Sequence, residues 1–522
     1  MSRVPYLAVI AVSLLLLPHA FAGNRNKPPA AGKTRHDIEE MLQDPEAARA
    51  FWGIDAVSLD TGQTLVAINA DKLFAPASNA KLFTTAAVFG LIGPDYRFKT
   101  TVETMGTLDK YGRLDSDLVL VGRGDPNLSG RTLPYSMHTE RKAPPIQVLQ
   151  QLADQLVQHG LKYVDGDLVA DDSYFVWERY GEGWSQDDLA REWGAPVSAL
   201  TINDNVIFVN IMPADRPGER AFLNITPFPE YYKIDNRVMT TPAGSEPRTV
   251  SINREPGSNQ ITFWGNISQD DPGFGEALAI EDPADFAARL LRELLEERGV
   301  TIYGRTRTHH TELASTQTFS VTSLASGGGD STRPPIPTPL ILASYQSQPI
   351  AEDLTVINKV SQNLHAELML RLLGKEKGTS GSIAGGLEVL RSFLIAAGIR
   401  PDQFAFYDGS GLSREDLVTT QAVTELLRYA WQQSWGKAYA DTLPVAGIDG
   451  SLSDRFRNTP AVGRVRAKTG SLTHVYTLAG YATTLSGEHI AFSVMTNDDT
   501  EPTKKALDRI DRIVLALVGD KN

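Results

Sequence analysis

Apolar positions recur at helical spacing behind Ser78, where Leu82, Phe83, Ala86, Val88 and Phe89 predict a helix that Gly90 and Gly93-Pro94 bring to an end. Pro76 and the small residues ahead of Ser78 suit the start of that helix. Immediately upstream, residues 52–59 and 63–68 alternate or run apolar on either side of Asp60-Thr61-Gly62, a hairpin signature. At the far end of the chain, residues 464–469, 477–484 and 489–496 read as strands, the last two joined across Ser486-Gly487. Residues 504–518 place Leu507, Ile510, Val514 and Leu517 on one helical face. Asp508, Arg509, Asp511 and Arg512 mix signs on the rest of that helix, which makes it a core helix on a sheet and not a basic membrane-lying one. Two strands early and three late, with helices between, predict one antiparallel five-stranded sheet that closes only when the chain returns.

The middle of the chain reads as an insertion. Helical patterns over 147–159 and 286–298 are each followed by a glycine and a strand-like run, 165–170 and 300–304, which suggests one α/β domain interrupted by something else. Between them, residues 200–213, 221–227, 249–253 and 260–267 are short alternating stretches set apart by Pro, Gly, Asp and Asn, a small β-rich domain. The Gly/Pro-rich run 326–339 is a linker back to the first domain. A short helix is expected around residues 37–43. The class is α/β (α+β), and the divisions fall at 36–98 with 340–522, at 99–175 with 276–339, and at 176–275 for the nested β-rich part.

Ahead of these lies a leader. Arg3, an apolar core over 6–17 and Ala20-Phe21-Ala22 form a secretory signal over 1–22, followed by a mobile Pro/Gly/Lys tether over 23–35. An exported chain without cysteine draws its stability from its core, and 522 residues supply one easily. The net charge of -13 and the lack of a basic stripe argue against nucleic acid and anionic membranes as primary partners.

Three constellations carry candidate chemistry. In Ser78-x-x-Lys81 the two side chains share a helix face, so the lysine amine can reach the hydroxyl while first-turn N–H groups face a developing oxyanion. Burial would help that lysine to act as a base. Ser361-Gln362-Asn363, between a helical segment and an apolar helix, could project a proton-relaying hydroxyl and a positioning amide into one cleft; its plain alternative is a helix N-cap. Lys468-Thr469-Gly470-Ser471 closes a strand: Lys468 and Thr469 can hold a carboxylate, Gly470 permits close backbone approach, and the Ser471 N–H can serve an oxyanion hole. His309-His310 would point to opposite faces of a strand, and His365-x-Glu367 lacks cysteine partners, so no metal or other cofactor is expected.

In this order, S-x-x-K, S-x-N and K-T-G mark penicillin-binding proteins and class A β-lactamases, and the wide gap from Ser78 to Ser361 leaves room for inserted domains. The chain resembles the D-alanyl-D-alanine carboxypeptidase/endopeptidases of peptidase family S13, the class C low-molecular-mass penicillin-binding proteins of the penicillin-binding protein 4 type. Besides the three motifs, the resemblance rests on Leu120-Val-Gly-Arg-Gly-Asp125-Pro126, Gly183-Trp184 with Asp187-Asp188, Ala195-Pro196, Tyr407-Asp-Gly-Ser-Gly-Leu-Ser-Arg414 and Leu443-Pro-Val-Ala-Gly447, and is weakest over 216–259. It implies a β-lactamase-like transpeptidase domain with Ser78 as nucleophile, Lys81 as its base, Ser361 as proton relay tuned by Lys468, and Asn363 as a positioning amide. Lys468 and Thr469 would hold the terminal carboxylate, and the N–H groups of Ser78 and Ser471 the oxyanion. Asp188 is similar to a family aspartate that meets the amino group of the stem peptide's diamino acid; a surface N-cap is its structural alternative, while Asp125 and Ser410 read as turn residues. The implied ligands are peptidoglycan stem peptides and β-lactam antibiotics, and the implied location is the periplasm. Loose membrane association and a homodimer are both compatible with the sequence. A β-lactamase or esterase on the same scaffold, and a non-catalytic cell-wall binding module, stand as the rival readings.

Overall fold

The computed structural model describes residues 31–136, 145–227, 229–255, 257–313 and 338–519. The expected signal over 1–22, the first part of the tether and nearly all of the linker 326–339 lie outside the described residues. The end of the expected tether differs from its reading: a helix spans Ala31–Leu42 and takes in residues 31–35. It is anchored because Ile38 is fully buried in the cluster that also holds the C-terminal helix.

Five antiparallel strands form the first sheet, in the order Thr64–Ile68, Phe51–Ser58, His489–Asn497, Val475–Thr483, Val465–Leu472. Alternation along these strands sorts their side chains onto two faces. Leu478, Ile490, Phe492 and Val494 face the helix Thr503–Val518. Ala479, Tyr481, Ala491 and Met495 face the helical side, built from Ala80–Leu91, Ile350–Lys359, Asn363–Lys377, Ile383–Ala396 and Thr420–Trp431. The strand Val465–Leu472 is the edge of the sheet, and Pro444 to Ala446 cover only its first part by backbone hydrogen bonds to Val465 and Ala467.

The second sheet is mixed, in the order Thr306–Thr311, Leu168–Val176, Leu118–Val121, Lys99–Thr104, Leu340–Gln346, with parallel pairing among the first three strands. The helices Gln147–Gln158 and Pro283–Glu297 bury their apolar faces in its core. Each helix ends at a left-handed glycine, Gly160 (φ 92°) or Gly299 (φ 82°), and then enters a two-residue strand, Tyr163–Val164 or Thr301–Ile302. These two short strands pair in parallel, so the two similar helix–glycine–strand units lie side by side.

Two edges of the expected division move. The strand Leu340–Gln346 pairs with Lys99–Thr104, so the second sheet extends past 340 before the chain returns to the first. Phe274–Ala279 pairs with Val206–Met212, so the β-rich part runs to 279. Within that part, Lys233–Thr241 forms a parallel pair with Gln260–Ser268, a strand hidden from pattern reading by the polar run Lys233-Ile-Asp-Asn-Arg237.

Phe492, fully buried against the C-terminal helix, reports on this architecture. Replacing it with alanine is expected to lower the unfolding free energy by about 3–5 kcal/mol, read as a fall in the urea midpoint with an unchanged slope.

Candidate active site

Ser78 lies in a single 3-10 turn, Ala77–Asn79, that leads straight into the helix Ala80–Leu91. Ala77 adopts φ 45°, a left-handed conformation unusual for a residue with a side chain. Two glycines make room for this backbone. A Cβ on Gly411 would stand 1.8 Å from the Ala77 carbonyl oxygen, and one on Gly470 would stand 3.0 Å from the Ser78 nitrogen and 2.2 Å from Thr477 Oγ1. The Thr477 hydroxyl in turn donates to the Pro76 carbonyl at 3.0 Å, tying the turn to the sheet.

Lys81 is fully buried, and its Nζ lies 2.8 Å from Ser78 Oγ, 2.6 Å from Asn363 Oδ1 and 2.7 Å from the Ser410 carbonyl. Burial lowers its pKa to about 7, against the opposing pull of the buried acids Asp408, Glu367 and Asp416. The neutral amine therefore has a substantial population near pH 7, and in that state its lone pair can accept the Ser78 proton. Asp408 shapes the loop that delivers the Ser410 carbonyl: it accepts from the N–H groups of Ser410, Gly411 and Ser413 and from Trp184 Nε1. Glu367 accepts from Gly409 N–H and from Arg371, and burial pushes its pKa up to about 7.

A second lysine–serine pair faces the first. Lys468 Nζ donates to Ser361 Oγ at 2.8 Å and to the Thr469 carbonyl at 2.7 Å. Burial and the neighbouring Lys81 hold its pKa well below the usual lysine value. Ser361 adopts φ 65°, again left-handed, on a loop fastened upstream by the Lys359–Asp449 ion pair at 2.6 Å. Asn363 opens the helix Asn363–Lys377; its Oδ1 faces Lys81 and its Nδ2 donates to the Trp193 carbonyl at 2.8 Å. The N-cap role falls to Gln362, whose Oε1 accepts from Leu364 N–H.

These side chains open onto a cleft of about 290 Å³ lined by Ser78, Ser361, Asn363, Ser471, Asp188, Trp193 and Arg414, among others. Thr469 lies beside it on the edge strand, its Oγ1 2.7 Å from Ser451 Oγ, and Gly470 backs the Ser78 turn. Asp188 caps no helix; its Oδ1 accepts from Trp193 Nε1 at 2.8 Å, and Arg414 stands 3.9 Å from its Oδ2. Asp125 is buried away from this cleft and accepts from Asn127 N–H in a turn. Sequence reading assigned no site role to Asp408, Glu367, Trp193 or Arg414, although Asp408 and Arg414 lie within the 407–414 motif and Glu367 within His365-x-Glu367; Trp193 has no distinctive neighbour in sequence.

The profile of the D-Ala-D-Ala carboxypeptidase 3 (S13) family matches residues 34–325 and 332–517. The chain belongs to that family. It is 32% identical over 484 residues to a D-alanyl-D-alanine carboxypeptidase of Actinomadura sp. (strain R39), covering 91% of this chain and 82% of that one. It is 27% identical over 479 residues to the D-alanyl-D-alanine carboxypeptidase DacB of Haemophilus influenzae, covering 90% of each. Penicillin binding protein 4 (dacB) from Haemophilus influenzae has the same fold, with a TM-score of 0.76 at 25% identity over 92% of this chain and 98% of that chain. The chain is accordingly a serine-type D-Ala-D-Ala carboxypeptidase.

If Lys81 takes the Ser78 proton it must be neutral to do so, and with its pKa lowered to about 7 the acylation rate should then rise with pH and level off above about 7. Stopped-flow acylation between pH 5 and 9 measures this; a rate flat across that range would remove Lys81 as the base.

Proposed function

We propose that this S13 carboxypeptidase works through an acyl-enzyme on Ser78, with the roles of its side chains set by the two facing lysine–serine pairs. The observation that carries this is the 2.8 Å contact between Ser78 Oγ and the buried Lys81 Nζ. Neutral Lys81 takes the Ser78 proton as Oγ attacks the carbonyl carbon of the penultimate D-alanine. The resulting oxyanion is taken up by the N–H groups of Ser78 and Ser471, and Gly470 leaves room for the Ser78 nitrogen beside the strand that carries Ser471. Collapse breaks the C–N bond, and the departing amine takes a proton from Ser361. Ser361 is reprotonated through Lys468, which donates to it at 2.8 Å, at the expense of the proton held on Lys81, so that Lys81 is neutral again. Asn363 holds Lys81 in line; water then attacks the ester, giving a proton to Lys81, which returns it to Ser78 Oγ as the C–O bond breaks.

Lys468 and Thr469 supply amine and hydroxyl donors for the substrate's terminal carboxylate, whose arriving negative charge favours the ammonium form of Lys468. Asp188 is a carboxylate on the cleft wall suited to an ammonium group of a stem peptide, held in place by Trp193. The same geometry accommodates a crosslinked stem, giving DD-endopeptidase activity, and a β-lactam, whose ring amide Ser78 opens to a slowly hydrolysed ester. Periplasmic location follows from the leader-like 1–22; among the described residues, no helix is long and apolar enough to cross a membrane.

Digestion of purified muropeptides, with release of terminal D-alanine and loss of crosslinked dimers counted separately, tests this reading. Ser78→Ala is expected to reduce both by at least about a thousandfold with an unchanged thermal midpoint. Intact mass spectrometry after exposure to penicillin is expected to show one long-lived adduct on Ser78; rapid penicillin turnover would instead favour a β-lactamase.

A further inference from the structure

Three consecutive residues of the inserted region, Asn203, Asp204 and Asn205, hold left-handed φ angles of 55°, 52° and 54°. All three are buried. Asparagine and aspartate tolerate this conformation better than other residues with side chains, yet a run of three persists only where surrounding contacts enforce it. Asn203 Nδ2 donates to the Val206 carbonyl at 2.6 Å, and Asn205 bonds to Ile202 N–H and to the Pro196 carbonyl. The strained turn thus has its own scaffold on both flanks.

What the turn presents is the Asp204 carboxylate, and it presents it to the segment carrying Ser361 and Asn363. Oδ2 accepts from Gln362 Nε2 at 3.2 Å and pairs with Arg131, while Oδ1 lies 3.1 Å from His365 Nε2. Gln362 sits between the two functional residues, and its other amide atom caps the helix that Asn363 begins. Ser361, one residue earlier, is itself left-handed at φ 65°. A shift of this short loop would move Ser361 Oγ away from Lys468 and Asn363 Oδ1 away from Lys81 together.

We infer that Asp204 is a positioning residue: through Gln362 and His365, the inserted domain holds the Ser361–Asn363 loop in the geometry that the acylation step requires. This rests on the proposed roles of Ser361 and Asn363. The carboxylate never touches substrate; it fixes where two groups that do touch it stand. The inserted domain is then part of the catalytic apparatus as well as a wall of the cleft.

Gln362→Glu tests the inference with little change of shape, because its carboxylate can still cap Leu364 N–H while losing the donor to Asp204 and adding a like charge. It is expected to slow acylation by a reporter β-lactam by about 100-fold, with kcat for D-alanine release falling in parallel and KM changing less than about threefold. The double variant Asp204→Asn/Gln362→Glu restores a hydrogen bond with donor and acceptor exchanged, and is expected to recover at least about tenfold of the loss. Parental acylation in Gln362→Glu, or a double variant no faster than the single one, overturns the inference. Should Gln362→Glu fail to fold by circular dichroism, Asp204→Asn alone decides: slowed acylation at unchanged KM supports the inference and the parental rate overturns it. Ser361→Ala runs in parallel; if it too acylates at the parental rate, the site reading itself falls, whereas a slow Ser361→Ala beside a fast Gln362→Glu removes only the role of Asp204.

Discussion

A lysine with no exposure to solvent sits 2.8 Å from a serine hydroxyl, and the surrounding structure answers to that burial. Moving an ammonium out of water is costly unless acceptors replace the lost hydration, and the cost lowers the pKa. Lys81 finds its acceptors in three segments far apart in the chain: Ser78 on its own turn, Asn363 at the start of a later helix, and the Ser410 carbonyl on a loop. Each acceptor leaves the amine close to neutrality without stabilising the charge so strongly that the proton never departs. The buried acids Asp408, Glu367 and Asp416 set the opposing pull, and desolvation outweighs them.

The second pair, Lys468 with Ser361, repeats the device from the opposite wall with less compensation. No buried acid offsets its desolvation, and the neighbouring Lys81 adds repulsion. Two neighbouring lysines, both removed from solvent, cannot readily both carry charge. Such an arrangement suits proton movement between the lysines and serines better than fixed ion pairing, as the proposed mechanism requires.

Rigidity comes from glycines beside the Ser78 turn and from contacts that the inserted region makes with the Ser361–Asn363 segment. Left-handed backbone at Ala77 and Ser361 places both hydroxyls where regular structure would not. Gly411 and Gly470 permit one of these conformations by leaving out a side chain, and the inserted region supports the other through Asn363, Gln362 and His365. Phe175, Ala195, Val197 and Val206 join the inserted region to the apolar cluster of the catalytic helices, so its turns are held against the site by packing.

Much was legible from local pattern because local physics decides it. The helix behind Ser78, the hairpin at Asp60-Thr61-Gly62, the three late strands and the C-terminal helix each follow from side-chain periodicity and turn residues within a short window. The three motifs were legible because their residue types are chemically unusual in combination. The strand Lys233–Thr241 was not, since its polar first half stays exposed or half-buried and only pairing with Gln260–Ser268 makes it a strand, and neither was the pairing of Leu340–Gln346 with Lys99–Thr104, a contact between distant segments. The sequence by itself determined the three motifs and the elements that bear them. Only the tertiary structure decided that Lys81 loses all contact with water, that Asp408 and Glu367 lie beneath it, and that Asp204 reaches the Ser361 loop, because burial and long-range hydrogen bonds belong to the assembled chain and not to any one stretch of it.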